Sequence, residues 1–178
     1  MKVARLAALT LALAVVLHLG IVWLIPQAIT GIFMSRVIAQ AGANHVLTPP
    51  LPTDTARSVV MPSPDLLYAV CVYDLAAGPV RITAQPPGGY WSAAIYDRNS
   101  DNIFTFNDRD LAGRPLDLIL TPAPNAGLQV RFPAARIVQP PHGTGVLLVR
   151  ALVLDATNMQ PALQAQASVH CTPTAPAG

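Results

Sequence analysis

The sequence predicts a mostly β fold: an antiparallel β-sandwich behind an N-terminal transmembrane helix, with one short C-terminal helix. Three observations carry that expectation. Leu6 to Ile25 reads LAALTLALAVVLHLGIVWLI, an apolar run with no formal charge. Beyond Arg57, short apolar runs alternate with turn signals roughly every ten residues, the spacing of a sandwich or barrel. The chain also holds 18 prolines and 11 glycines among 178 residues, at no fixed period. That composition suits many strands and turns better than a bundle of long helices.

The first segment, residues 1–26, reads as the anchor. At ~1.5 Å per residue, Leu6–Ile25 makes a helix of about 30 Å, the thickness of a bilayer's hydrocarbon core. Trp23 stands where an interfacial aromatic belongs, and Lys2 and Arg5 flank the other end, so the N-terminus stays on the cytoplasmic side. The competing reading is a cleaved signal peptide. Its apolar region is usually ~7–15 residues and ends at an A-x-A-like site. The run here is longer, and the match Ala39-Gln40-Ala41 comes well after it. His18, alone inside the span, reads as a neutral histidine. Pro26 is expected to kink or end the helix.

Residues 27–56 read as an amphipathic helix and a Pro-rich linker. Ile29, Ile32, Phe33, Arg36, Val37 and Gln40 recur at helical spacing, which suits a helix at the membrane surface or one packed on the exported domain. Asn44–Thr55 (NHVLTPPLPTDT) reads as extended.

Residues 57–178 form the expected β domain. Leu66–Asp74 (LLYAVCVYD) is apolar on both alternating faces and predicts a central strand. Val80–Gln85, Tyr90–Asp97, Ile103–Asn107, Leu116–Thr121, Leu128–Phe132 and Val146–Asp155 are further strand candidates. Asn158–His170 predicts the closing helix, with Pro161 confined to its first turn. Of Tyr90, Trp91, Tyr96, Phe104 and Phe106, alternate residues are expected in the core and the others along an edge or a pocket.

Charge excludes one class. Lys2 and Arg5 aside, nine arginines face nine aspartates and there is no glutamate. A nucleic-acid partner requires a basic stripe, and none is present. Cys71 and Cys171 are the two cysteines. In an oxidising compartment they pair most simply with each other, closing a long loop worth at most ~4–5 kcal/mol in the chain-entropy model.

The stretch VVMPSPDLLYAVCVYD (Val59–Asp74), then AGPVRI (Ala77–Ile82), GYWSAAIYD (Gly89–Asp97) and VLLVRALVLD, resembles the bacterial domain of unknown function 1254 in order, across about residues 44–171. Ser63 stands where many members have Asn. The resemblance is to the small, singly anchored members. It implies a jelly-roll-like fold and an exported location: single-pass in the bacterial inner membrane, with the C-terminal domain periplasmic. It implies no activity. Longer relatives carry a companion domain (domain of unknown function 1214) in the same chain, which implies a separate small membrane-anchored companion protein here.

Two clusters carry candidate chemistry. Asp97, Asn99, Asp101 and Asp108 fall on positions of a calcium-loop template. The template's turn glycine is replaced by Asn102, and its terminal bidentate Glu by Asp108. A hairpin turn with local side-chain-to-backbone hydrogen bonds is the preferred reading, and no metal site is assigned. Asp65 and Tyr68 form the second cluster, an acid–base or ligand-contact pair or else a turn residue beside a core tyrosine. His142 lies in a loop without an identifiable partner, as a general base would need. No nucleophile elbow, P-loop or dinucleotide fingerprint occurs, and no cofactor is expected. The expected function is a membrane-anchored binding or assembly module that contacts lipid through Leu6–Ile25. The alternative is an envelope enzyme or metal- or ligand-binding protein using Asp65, Tyr68 and the Asp97–Asp101 loop.

Overall fold

The computed structural model describes residues 2–56, 62–124 and 126–174. Arg57, where the β domain is expected to begin, and Val59–Met61 of the resemblance lie outside them.

Helix α1 (Lys2–Ala41) holds the apolar run, with a mean hydropathy of 2.5 over its best 18 residues. Nothing in the described chain covers that window. Leu6 is 64% exposed and Trp23 68%, so the segment is not a core helix. It is long and apolar enough to cross a membrane. Pro26 lies inside the helix and does not end it. Beyond it, Thr30 and Val37 are buried, and Val37 packs with Val70, Val72 and Val146. Gly42, at φ 88°, stops the helix, with its N–H on the Ile38 carbonyl at 2.8 Å. That is the left-handed cap for which glycine is favoured.

The strands that follow are β1 (Val46–Leu47), β2 (Leu66–Asp74), β3 (Val80–Ala84), β4 (Trp91–Asp97), β5 (Asn102–Asn107), β6 (Leu116–Leu120), β7 (Arg136–Val138), β8 (Thr144–Leu152) and β9 (His170–Pro173). They form a five-stranded sheet, β1-β2-β8-β4-β5, and a four-stranded sheet, β7-β6-β3-β9. Both contribute to one core that includes Leu67, Tyr73, Ile82, Trp91, Leu118 and Leu147. β2 is apolar on both sides because each side is covered. Leu67, Ala69, Cys71 and Tyr73 enter this core. Val70 and Val72 pack on the other side with Val37 of α1 and Val146 of β8.

Several boundaries differ from expectation. Leu128–Phe132 is not a strand: helix α3 (Ala126–Arg131) occupies it. A short apolar run has no periodicity that separates the two. Leu128 is buried beside Ile119 and Ala135, while Val130 is 83% exposed. This helix lies in the connection between β6 and β7, which pair in parallel, so the fold is not purely antiparallel. Parallel neighbours need such a crossover. The strand expected to reach Asp155 ends at Leu152. Asp155 instead caps α4 (Ala156–Ala167), accepting the Thr157 N–H. α4 thus starts earlier than expected, and Pro161 lies within it beyond the first turn. The helix also ends before His170, which opens β9. Cys171 there pairs in register with Ile82 and is bonded to Cys71, Cα to Cα 6.5 Å. The disulfide joins the two sheets. Val46 and Leu47, within the expected linker, pair with Cys71 and Val70. Asn44, at φ 60°, extends that pairing: its side chain donates to the Asp74 carbonyl and accepts the Asp74 N–H, at 2.9 and 2.8 Å.

Candidate functional site

The outer side of the five-stranded sheet has a roof. The second half of α1 supplies Ile29, Phe33 and Val37, and the Pro-rich segment supplies Leu47 and Pro49–Thr53. The sheet supplies Tyr68 and Val70 from β2, Tyr96 from β4, and Val146, Leu148 and Arg150 from β8. Between them lies a groove of about 830 Å³. Its described walls are largely apolar. They include two arginines, Arg36 and Arg150, and no carboxylate. A volume of that order lies in the range of small-molecule sites, ~300–1,000 Å³. The roof is held in place by polar contacts. Gln166 of α4 donates to the Pro49 carbonyl at 2.9 Å and to the Tyr68 carbonyl at 2.7 Å. The hydroxyls of Thr30 and Ser100 are hydrogen bonded to each other, fastening α1 to the β4–β5 turn.

That turn is the Asp-rich stretch. Asp97 is buried. Its Oδ1 accepts the N–H groups of Asn99 and Asp101 at 2.7 and 3.1 Å, and its own N–H donates to the Asp101 carbonyl at 3.0 Å. Ser100 takes φ 71° at the tip. These are the local bonds by which an aspartate makes a turn. Asp108 does not join them. It opens α2 (Asp108–Leu111) at the far end of β5, roughly 20 Å away at ~3.3 Å per strand residue, so the calcium-loop template does not close around one point. Among the described residues no three His, Cys, Asp or Glu side chains converge as metal ligands.

The other Asp97 oxygen meets a residue the sequence left without a partner. Nδ1 of His142 lies 2.9 Å from Asp97 Oδ2. Burial, and secondarily the Asp97 charge, push the Tyr73 phenol well above its ordinary range. Its hydroxyl donates to the Tyr96 carbonyl at 3.3 Å. A carboxylate-oriented imidazole is half of a nucleophile-activating arrangement. Among the described residues, no hydroxyl or thiol is hydrogen bonded to His142 to complete it.

Asp65 and Tyr68 are not brought together as a pair. Asp65 is exposed in the turn before β2, and its carbonyl accepts the Val153 N–H. Tyr68 is half-buried, lines the groove, and accepts the Ser63 N–H on its hydroxyl at 2.9 Å. The Asp97–Asp101 turn reaches the groove only through Ser100. Trp91 and Phe106 enter the core, whereas Tyr96 lines the groove and Tyr90 is half exposed. Arg150 was missed from sequence. Its signal is a single charge inside the apolar strand VLLVRALVL.

A family model described as "Protein of unknown function (DUF1254)" matches residues 43–173. The chain belongs to the DUF1254 family. The DUF1254 match takes in both sheets, all the candidate residues and the groove's sheet wall, and begins just after α1. No curated protein matches the chain. Among solved structures, the VPA0106 protein of Vibrio parahaemolyticus is similar at a TM-score of 0.61 and 15% identity, covering 83% of this chain and 34% of that one. An uncharacterised protein of Burkholderia cenocepacia reaches a TM-score of 0.48 at 20% identity, over 71% and 33% of the two chains. This DUF1254 chain therefore spans about a third of either protein.

Proposed function

We propose that this protein is a membrane-anchored binding module of the bacterial cell envelope. In this reading α1 crosses the inner membrane once, with its N-terminus cytoplasmic. The two sheets form a jelly-roll-like sandwich in the periplasm, where an oxidising environment suits the Cys71–Cys171 bond. The groove between α1, the Pro-rich segment and the sheet is the observation that carries the binding role, being concave, apolar and furnished with a few polar groups. We extend the proposal to assembly with a small membrane-anchored companion protein, on the resemblance to longer relatives that hold a second domain in the same chain.

One preparation tests both parts. Tagged full-length protein and a Val70→Trp variant, which fills the groove, are purified from their own membranes in mild detergent. Mass spectrometry then identifies what stays bound. The expected result is a small molecule retained by the wild type and absent from the variant, with a second anchored protein in near-equal amount in both. Identical small-molecule content in the two preparations overturns the groove as the binding site. Recovery of the protein without a second chain overturns the companion.

A further inference from the structure

We propose that the groove takes an anionic amphiphile from the bilayer, with its acyl chain along the apolar wall and its head at Arg150. The proposal deepens the binding role given to the groove and rests on it.

Two observations point to an anion at that place. The first is charge. Arg150 stands in the middle strand of the five-stranded sheet, directly across from Tyr68 on one side and Ser92 on the other. Among the described residues no carboxylate pairs with it. Arginine keeps its charge at any working pH, and a charge held partly out of water requires a partner. The groove's described walls contribute no acid beside Arg150.

The second is a pair of unpartnered polar atoms on residues paired across two strands. Arg150 Nε is buried with no hydrogen-bond partner among the described residues, and so is Ser92 Oγ on the neighbouring strand. Native structures leave few such groups, and adjacent ones mark a place where an acceptor fits. Tyr68 flanks the same arginine. Its oxygen accepts the Ser63 N–H, which leaves its hydroxyl hydrogen free to donate. A guanidinium flanked in register by a tyrosine and a serine suits the oxygens of a carboxylate or phosphate head.

The rest of the groove selects the tail. Its wall is aliphatic and aromatic, formed by Phe33, Val37, Val70 and Leu148 among others. Its helical side begins at Ile29, a single turn past the end of the apolar run at Ile25. With α1 across the bilayer, the groove opens at the membrane surface, where an amphiphile slides in without leaving an apolar environment for long.

The test uses full-length protein in lipid nanodiscs with two photoreactive probes of equal length: a diazirine fatty acid and the matching diazirine fatty alcohol. Labelled peptides are mapped by mass spectrometry. The expected result is labelling of β2 and β8 peptides by the acid, at least about tenfold above the alcohol, the scale of a hydrogen bond to a charged group. Arg150→Gln removes that preference, and Val70→Trp removes groove labelling by both probes. Far-UV circular dichroism and melting check both variants, and Arg150→Gln decides if Val70→Trp does not fold. Equal labelling by acid and alcohol in the wild type overturns the anionic class and leaves groove binding standing. Labelling confined to α1 residues 2–25 overturns groove binding itself.

Discussion

Tyr73 shows how tightly the inner side of the fold is specified by single residues. Its ring is fully buried, and its hydroxyl lies against β8 where Gly145 leaves room. A Cβ at Gly145 would overlap both the Tyr73 hydroxyl and the Tyr96 carbonyl, so the bare glycine is the condition for the phenol's position. Because burial raises the folded phenol's pKa, folded and unfolded chains differ above pH ~10, the ordinary tyrosine value. There the unfolded chain gives up a proton that the folded one keeps, and stability falls as pH rises. Tyr73→Phe is expected to cost about 1 kcal/mol at neutral pH for the lost hydrogen bond and to flatten that alkaline fall. Urea unfolding from pH 8 to 11 checks both; parallel slopes in the two proteins contradict it. None of this was legible beforehand. The alternation of LLYAVCVYD places Tyr73 on a strand, but Gly145 and Asp97 reach it only through sheet register.

At the scale of the element, legibility followed the strength of the local signal. The long alternating runs became β2, β4 and β8, and the uninterrupted apolar run became the first half of α1. The weaker signals went astray. LQVR is too short for its period to distinguish strand from helix, and in α3 Leu128 packs with Ile119 and Ala135. The start of α4 was misplaced because its signal is a cap, not a period. Asp155 bonds the Thr157 N–H, and Asn158 returns its side chain to the Asp155 N–H. The Thr157 hydroxyl first, then the backbone N–H groups of Thr157 and Asn158, hold the Asp155 carboxyl below its ordinary value. A depressed carboxyl contributes stability above the unfolded pKa of ~3.9 and loses it as pH falls through the folded value. Asp155→Ala is therefore expected to melt earlier than wild type at neutral pH, with the gap closing in acid. Asp155→Asn, an equally good cap, is expected to keep most of the neutral stability and to show no such pH dependence. Thermal melts from pH 2 to 7 measure it, and a gap constant across that range sinks the assignment.

At the scale of the molecule, one covalent bond and one docked helix set the arrangement. Cys71 and Cys171 are 100 residues apart and join the two sheets. Replacing both with alanine is expected to cost about 2–5 kcal/mol, seen as a lower urea midpoint. A midpoint unchanged by the replacement, or by reduction of the wild type, contradicts a stapling role. The second half of α1 lies on the outer side of the five-stranded sheet and makes the groove's roof. Sequence periodicity placed an amphipathic segment there without choosing between membrane surface and protein as its partner. Val37 and the valines of β2 and β8 settle its contact with the sheet. By itself the sequence determined the membrane-length apolar helix, the main strands and the family, because each is written in neighbouring residues as hydropathy, alternation or motif. The parallel pair, the Asp97–His142 contact and the groove with Arg150 at its wall were decided only in the tertiary structure. Each depends on register between segments tens of residues apart, and no local pattern encodes which distant side chains that register brings together.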